Sequence, residues 1–186
     1  MSTSAERTVA LRDGTRVTLR PLPYDHPVAH YLVEQVQQEY VERYGGRDAA
    51  VVEPGDFLPP RGIFLVAEVD GVPAGCGAWR VLSPGVAEIK RVYVEPGFRR
   101  RGVAQVIVAA LEEGVARAGH ASVVLNTGRQ QPEAIALYAD LGYEPVTGFG
   151  MYACSPEAVF LGKDVGFLLG EDVGSGAGTE GTSWAS

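Results

Sequence analysis

Cysteine is scarce in this 186-residue chain: Cys76 and Cys154 are the two present, and no CxxC spacing occurs. Two thiols cannot make a disulfide framework or complete a zinc site, so both read as buried thiols and no metal is expected. Basic charge is also short, with 16 lysines and arginines against 23 acids and a net charge of -7. A general nucleic-acid binder needs positive surface to neutralise phosphates, so no nucleic-acid partner is expected. No apolar run approaches the roughly 20 residues of a membrane helix. The opening MSTSAERTVALRDGTR has no apolar core of a signal peptide. These absences predict a cytoplasmic protein with no membrane partner. No internal repeat occurs, and no G-x-x-x-x-G-K-[ST] element is present, which argues against a phosphoryl-transfer enzyme with its lysine and Mg²⁺ ligands.

What is present fits one α/β domain over residues 1–169, followed by a Gly/Ser-rich stretch over 170–186 too poor in apolar residues to order itself. Thr15 to Arg20 alternates as a strand, and Leu32, Val36 and Tyr40, widened by Val33 and Val41, predict an amphipathic helix from His26 to Tyr44. Residues 47–62, with Pro54-Gly55 and Pro59-Pro60, read as a long loop that shapes a substrate mouth. Apolar runs at Ile63–Val69 and Pro73–Leu82 join through Asp70-Gly71, a hairpin signal, and a third strand follows over Glu88–Val94. A helix is predicted from Val103 to Gly119, a buried strand over Ala121–Leu125, and a second helix opened by Pro132 and stopped by Gly142. Tyr143, Phe149–Tyr152 and Ala158–Leu161 suggest two closing strands.

The chemistry concentrates where the Glu88–Val94 strand passes through a Pro-Gly turn into Arg99-Arg100-Arg101-Gly102-Val103-Ala104 and a helix. Unpaired amides and the positive dipole end at a helix N-terminus hold anions, and small residues at Gly102 and Ala104 keep those amides open to a phosphate. The plain alternative is a solvated basic turn that caps a helix. Alternation places Glu88 on one strand face with Lys90, Val92 and Val94. Its carboxylate is a candidate general base or, equally, an ion-pair partner of Lys90 or Arg91. Tyr138, in register with Leu141, fits a core position whose hydroxyl reaches a partner.

Together these residues resemble the GNAT superfamily of acyl-CoA-dependent N-acyltransferases. The likeness rests on Val92-Tyr93-Val94-Glu95-Pro96, on the R-x-x-G-x-A of Arg99 to Ala104, and on Gln131-x-x-Ala134-Ile135-x-Leu137-Tyr138-x-x-Leu141-Gly142-Tyr143, and it spans roughly residues 15–165. It implies a mixed, twisted sheet flanked by helices with acetyl-CoA as co-substrate. It implies that the backbone of Val92, Tyr93 and Val94 pairs with the pantetheine arm and offers an N–H to the thioester carbonyl. It also implies that the amides from Arg99 to Ala104 cradle the pyrophosphate. Tyr138 becomes the acid that protonates the departing thiolate, and Glu88 the base. Gln131 stands where asparagine is usual, and Asn126-Thr127-Gly128 replaces the Glu-Thr-Gly of some bacterial members, which removes a carboxylate from the acceptor groove.

The acceptor implied is a small-molecule primary amine, an amino acid or similar, acetylated by direct transfer. Tyr40, Asp48, Glu53, Asp56, Arg80 and Arg91 are acceptor-side candidates: acids at the mouth would favour a cation, an inward arginine an amine carrying a carboxylate. The alternative from another class is an acyl-CoA-binding regulatory module without turnover. Either suits a monomer or homodimer.

Overall fold

The computed structural model describes residues 6–168. The predicted 170–186 stretch lies outside the described residues. In chain order the elements are β1 (Arg7–Ala10), β2 (Arg16–Pro21), α1 (Pro27–Tyr44), β3 (Gly62–Val69), β4 (Val72–Ser83), β5 (Val86–Val94), α2 (Val103–Arg117), β6 (Ser122–Gly128), α3 (Pro132–Asp140), β7 (Glu144–Pro145) and β8 (Ala158–Asp164). They form one eight-stranded sheet in the order β1-β2-β3-β4-β5-β6-β8-β7. Among the described residues only β5 and β6 run parallel, joined by α2 as the crossover.

Period-two alternation sorts the strand side chains into two layers. Phe64, Val66, Cys76, Ala78 and Tyr93 face α1, where they pack on Ala29, Leu32 and Val36. Leu65, Ala67, Ala74, Ala87 and Ile89 face α2 and meet Val103, Ile107, Leu111 and Val115. Tyr138 of α3 joins this second layer beside Leu125 and Tyr143.

Five points differ from the sequence reading. Gly150–Tyr152 is a short 3-10 turn instead of a strand, and β7 contributes two residues. β1 pairs with β2 at the sheet edge, although its four residues carry no strand signal beyond Thr8 and Val9. Val41 lies 38% exposed, outside the buried stripe of α1, and Cys154 is exposed while Cys76 is buried.

The fifth concerns β5. Its register with β4 shifts between Cys76 and Ala78, and Arg91 takes a left-handed backbone with φ 59°. This bulge inserts one residue and inverts the alternation beyond it. Val92 and Val94 therefore pack toward α2 with Ala87 and Ile89, on the face opposite Glu88 and Lys90.

Candidate active site

Parallel pairing of β5 with β6 covers Val86–Glu88 against Ser122–Val124 and stops there. From Ile89 onward β5 has β4 on one side and an open edge toward β6 on the other. Backbone groups along such an edge need partners, and an extended ligand arm can pair with them as an added strand would. The gap opens into a cavity of about 390 Å³ lined by Tyr40, Tyr44, Asp48, Lys90, Arg91 and Thr127 among others.

At the far end of β5 the chain turns into α2. Arg100 and Gly102 both have positive φ, 59° and 95°, and Gly102 is the N-cap of α2 with no side chain capping the helix. The first amides of α2 are thus left to an outside acceptor, and alternating left-handed residues before them point further N–H groups the same way. A glycine is required at 102 because φ 95° strains any side-chain-bearing residue. The arrangement fits a pyrophosphate.

The three arginines do different things. Arg99 donates Nε to the Val94 carbonyl at 2.8 Å, meets Glu39 at 3.2 Å and lies over the Tyr93 ring at 5.6 Å. Arg101 reaches back to Thr15 Oγ1 at 2.6 Å. Arg100 is exposed. Glu39 also binds Arg43 at 2.9 Å, and Arg43 continues to Glu133 and to the Gln130 carbonyl. This chain of charges ties the arginine turn, α1 and the start of α3 together around the open end of the gap.

Gln131 precedes α3 and closes the β6 end. Its Oε1 accepts from Thr127 Oγ1 at 3.1 Å and from the Tyr44 hydroxyl and Gly128 amide, both at 3.4 Å. Tyr138 is 6% exposed, edge to face with Tyr143. Burial, and then neighbouring Tyr40, push its phenol above the ordinary value, so it remains a proton donor through the physiological range.

Glu88 is 4% exposed and shares its two oxygens between Arg80 Nε at 2.9 Å and Lys90 Nζ at 3.2 Å. The ion-pair alternative for Glu88 is thus present for Lys90. Arg91 instead turns to Asp48, helped by the bulge. Arg80 extends the network to Asp56 at 2.9 Å, which places Asp56 in an ion pair. Asp48 is held on several sides: its Oδ1 accepts from the Tyr152 hydroxyl at 2.8 Å and the Ala50 amide at 2.9 Å. Burial pushes its carboxyl up, but hydrogen bonds from Arg91 and Ala50 and the charges of Arg91 and Lys90 outweigh this and hold it below the usual value.

Of the predicted site residues, Gln131 lines the cavity together with the acceptor candidates Tyr40, Asp48 and Arg91, whereas Glu88 and Tyr138 do not line it. Lys90, Tyr44, Tyr152 and Glu157 were not read as site residues. Tyr152 reaches Asp48 across 104 positions, for which the sequence carries no local signal. The signal for Lys90 was its adjacency to Arg91, two cations in a strand otherwise becoming buried.

Comparison with known proteins bears on the family and the fold. The sequence profile of the acetyltransferase (GNAT) family matches residues 28–143. The IAA acetyltransferase of Azospirillum brasilense is 29% identical over 133 residues, 71% of this chain and 87% of that protein. Human N-acetylaspartate synthetase is 30% identical over 115 residues, 61% of this chain but 38% of that longer protein. Among solved structures, the GNAT domain of S. lividans PAT superposes with a TM-score of 0.68 at 19% identity, covering 86% of this chain and 96% of that one. A GNAT family acetyltransferase from Elizabethkingia anophelis, solved with acetyl-CoA bound, gives 0.58 at 15% identity over 80% and 97%. No helix of the described residues is long and apolar enough to cross a membrane, and no group of three or more potential metal ligands occurs among them.

Proposed function

The chain belongs to the GNAT family of acetyltransferases, and on that premise we propose that it moves acetyl from acetyl-CoA directly to the primary amine of a small molecule, an amino acid or similar. The observation that carries this reading is the conjunction of an open β5 edge after Glu88 with the uncapped, glycine-opened start of α2. One accommodates an extended arm and the other a pyrophosphate, at the two ends of the same strand.

Acetyl-CoA supplies an activated acyl group as a thioester. The amides from Arg99 to Ala104 hold its phosphates, with Arg99 fixing the turn against Val94 and Glu39. The Val92, Tyr93 and Val94 backbone aligns the arm, and the Val92 N–H offers a donor where negative charge develops on the carbonyl oxygen. Gln131 steadies the opposite wall through Thr127 and Tyr44. The amine approaches through the cavity on the α1 side. Glu88 takes the amine proton through water, in competition with its ion pairs to Arg80 and Lys90. As the C–S bond breaks, Tyr138, kept protonated by burial, gives its hydroxyl proton to the departing thiolate, and the second proton lost by the acetylated nitrogen restores the phenol.

The test is a thiol-release assay with acetyl-CoA against amino acids, polyamines, aminoglycosides and peptides. Release that depends on one acceptor class supports transfer and names the class. Tight acetyl-CoA binding with no release for any acceptor replaces the enzyme with an acyl-CoA-binding regulatory module.

A further inference from the structure

Lys90 and Arg91 are consecutive in a strand, and an undistorted strand would send them to opposite faces. The left-handed φ of 59° at Arg91 prevents this, so both line the same cavity, 8% and 5% exposed. Positive φ is costly for a long non-glycine side chain and persists when the surroundings enforce it. Its consequence here is to set a buried guanidinium beside a buried ammonium.

Neither cation is fully used. Arg91 gives one terminal nitrogen to Asp48 and also has the Tyr24 side chain beside it, while its Nε is buried with no hydrogen-bond partner among the described residues. A buried N–H without an acceptor is expensive in a finished site. Lys90 has three donor hydrogens and, among the described residues, one hydrogen bond, at 3.2 Å to Glu88, which does not line the cavity. Asn126, Thr127 and Tyr44 in the lining are neutral, and Arg47 and Glu157, which also line the cavity, carry opposite charges. A carboxylate has two oxygens that can bridge an arginine fork and an ammonium through charge-assisted bonds, whereas a polycation would set like charge against both.

We propose that Lys90 and Arg91 form a carboxylate-binding subsite of the acceptor cavity, so that the accepted amine carries a carboxylate, as a free amino acid does. This rests on the acetyl-transfer reading above and adds the group that selects the acceptor.

The test compares a panel of L-amino acids with the corresponding amino acid amides and with polyamines, using the full chain, acetyl-CoA and thiol release, for wild type, Lys90→Gln and Arg91→Lys. Wild type is expected to favour acids over amides by about 10- to 100-fold in kcat/KM, mainly through KM. In Lys90→Gln that ratio is expected to fall to about threefold or less. Arg91→Lys, which keeps the charge but loses the fork, is expected to give an intermediate ratio; thermal melting verifies that each variant is folded. Equal turnover of acids, amides and polyamines by wild type overturns the subsite and leaves acetyl transfer standing. So does an acid-to-amide ratio that Lys90→Gln does not change. If no acceptor releases thiol, transfer itself falls, and saturation-transfer NMR with the same amino acids and CoA decides the subsite. Binding to wild type that Lys90→Gln abolishes supports it; no binding to wild type overturns it.

Discussion

Tyr138 and Tyr143 pack edge to face with ring centroids 5.3 Å apart, which fixes the Tyr138 ring without using its hydroxyl. Tyr138→Phe therefore keeps the packing and deletes only the proton donor. The expected result is a fall in kcat of about 10²-fold or more, the scale for losing a general acid. Acetyl-CoA affinity by calorimetry and the melting temperature should stay near wild type. Unchanged turnover removes Tyr138 from the mechanism.

Glu88→Gln separates the two roles of that carboxylate. Glutamine still accepts a hydrogen bond from Arg80 or Lys90 but cannot take up a proton. A base role predicts kcat lower by about 10²-fold with the melting temperature little changed. A purely ion-pairing role predicts the reverse, retained kcat with a loss of about 1–3 kcal/mol in urea unfolding.

Gly102→Val tests the phosphate cradle. At φ 95° a β-branched residue is strained, and the expected cost is about 1–3 kcal/mol of stability. The same side chain crowds the amides at the start of α2, so acetyl-CoA affinity by calorimetry should weaken by about tenfold or more. Wild-type affinity in a folded Gly102→Val protein excludes the cradle.

Much of the fold was legible because it rests on local chemistry. Apolar periodicity marked α1, α2 and the β3–β4 hairpin, and Pro132 with Gly142 bounded α3. The arginine turn was legible for the same reason: Gly102 at a strand-to-helix junction has one backbone meaning. The bulge at Arg91 was not. Sequence alternation assumes an undistorted pleat, and nothing in Ile89-Lys90-Arg91-Val92 marks the inserted residue, so Val92 and Val94 were assigned to the wrong face. The partnership of Asp48 with Arg91 and Tyr152 was equally hidden, since it joins a loop, a strand and a distant turn. Local pattern marked the proposed pyrophosphate end of the groove. The acceptor end depends on one backbone torsion and on contacts between remote segments.

Asp48 should make stability sensitive to acid. Its carboxyl titrates below the ordinary 3.8 in the folded protein, so the unfolded chain takes up the proton first as pH falls. This contribution is fully present above about 3.8 and is lost below it, as pH descends through the lower folded value. Asp48→Asn is expected to cost about 3 kcal/mol at pH 7 by leaving Arg91 buried without its counterion. Urea unfolding at pH 7, 5, 4 and 3 should then show a smaller loss between pH 4 and 3 for the variant than for wild type. Parallel curves would mean that other carboxylates carry the acid transition.

Gly77 on β4 sits opposite the bulged stretch of β5, where a side chain would meet α2. A Cβ there would lie 2.6 Å from Ile107 Cγ2 and 3.0 Å from Leu111 Cδ1, with Val92 Cγ2 at 3.4 Å. Ile107 and Leu111 are fully buried and have no room to yield, so Gly77→Ala must lift α2 or push Val92. Overpacking of this kind costs about 1–3 kcal/mol, measurable by urea unfolding. Because the proposed phosphate amides lie at the N-terminus of α2 and the proposed thioester donor is the Val92 N–H, the same substitution would move two parts of the proposed groove at once. It should raise the KM for acetyl-CoA by more than it raises the KM for the amine, which touches neither element in the cavity lining. A change confined to the amine would mean that the bulge is set from the α1 side, through Asp48 and Arg91, and not by the packing of α2.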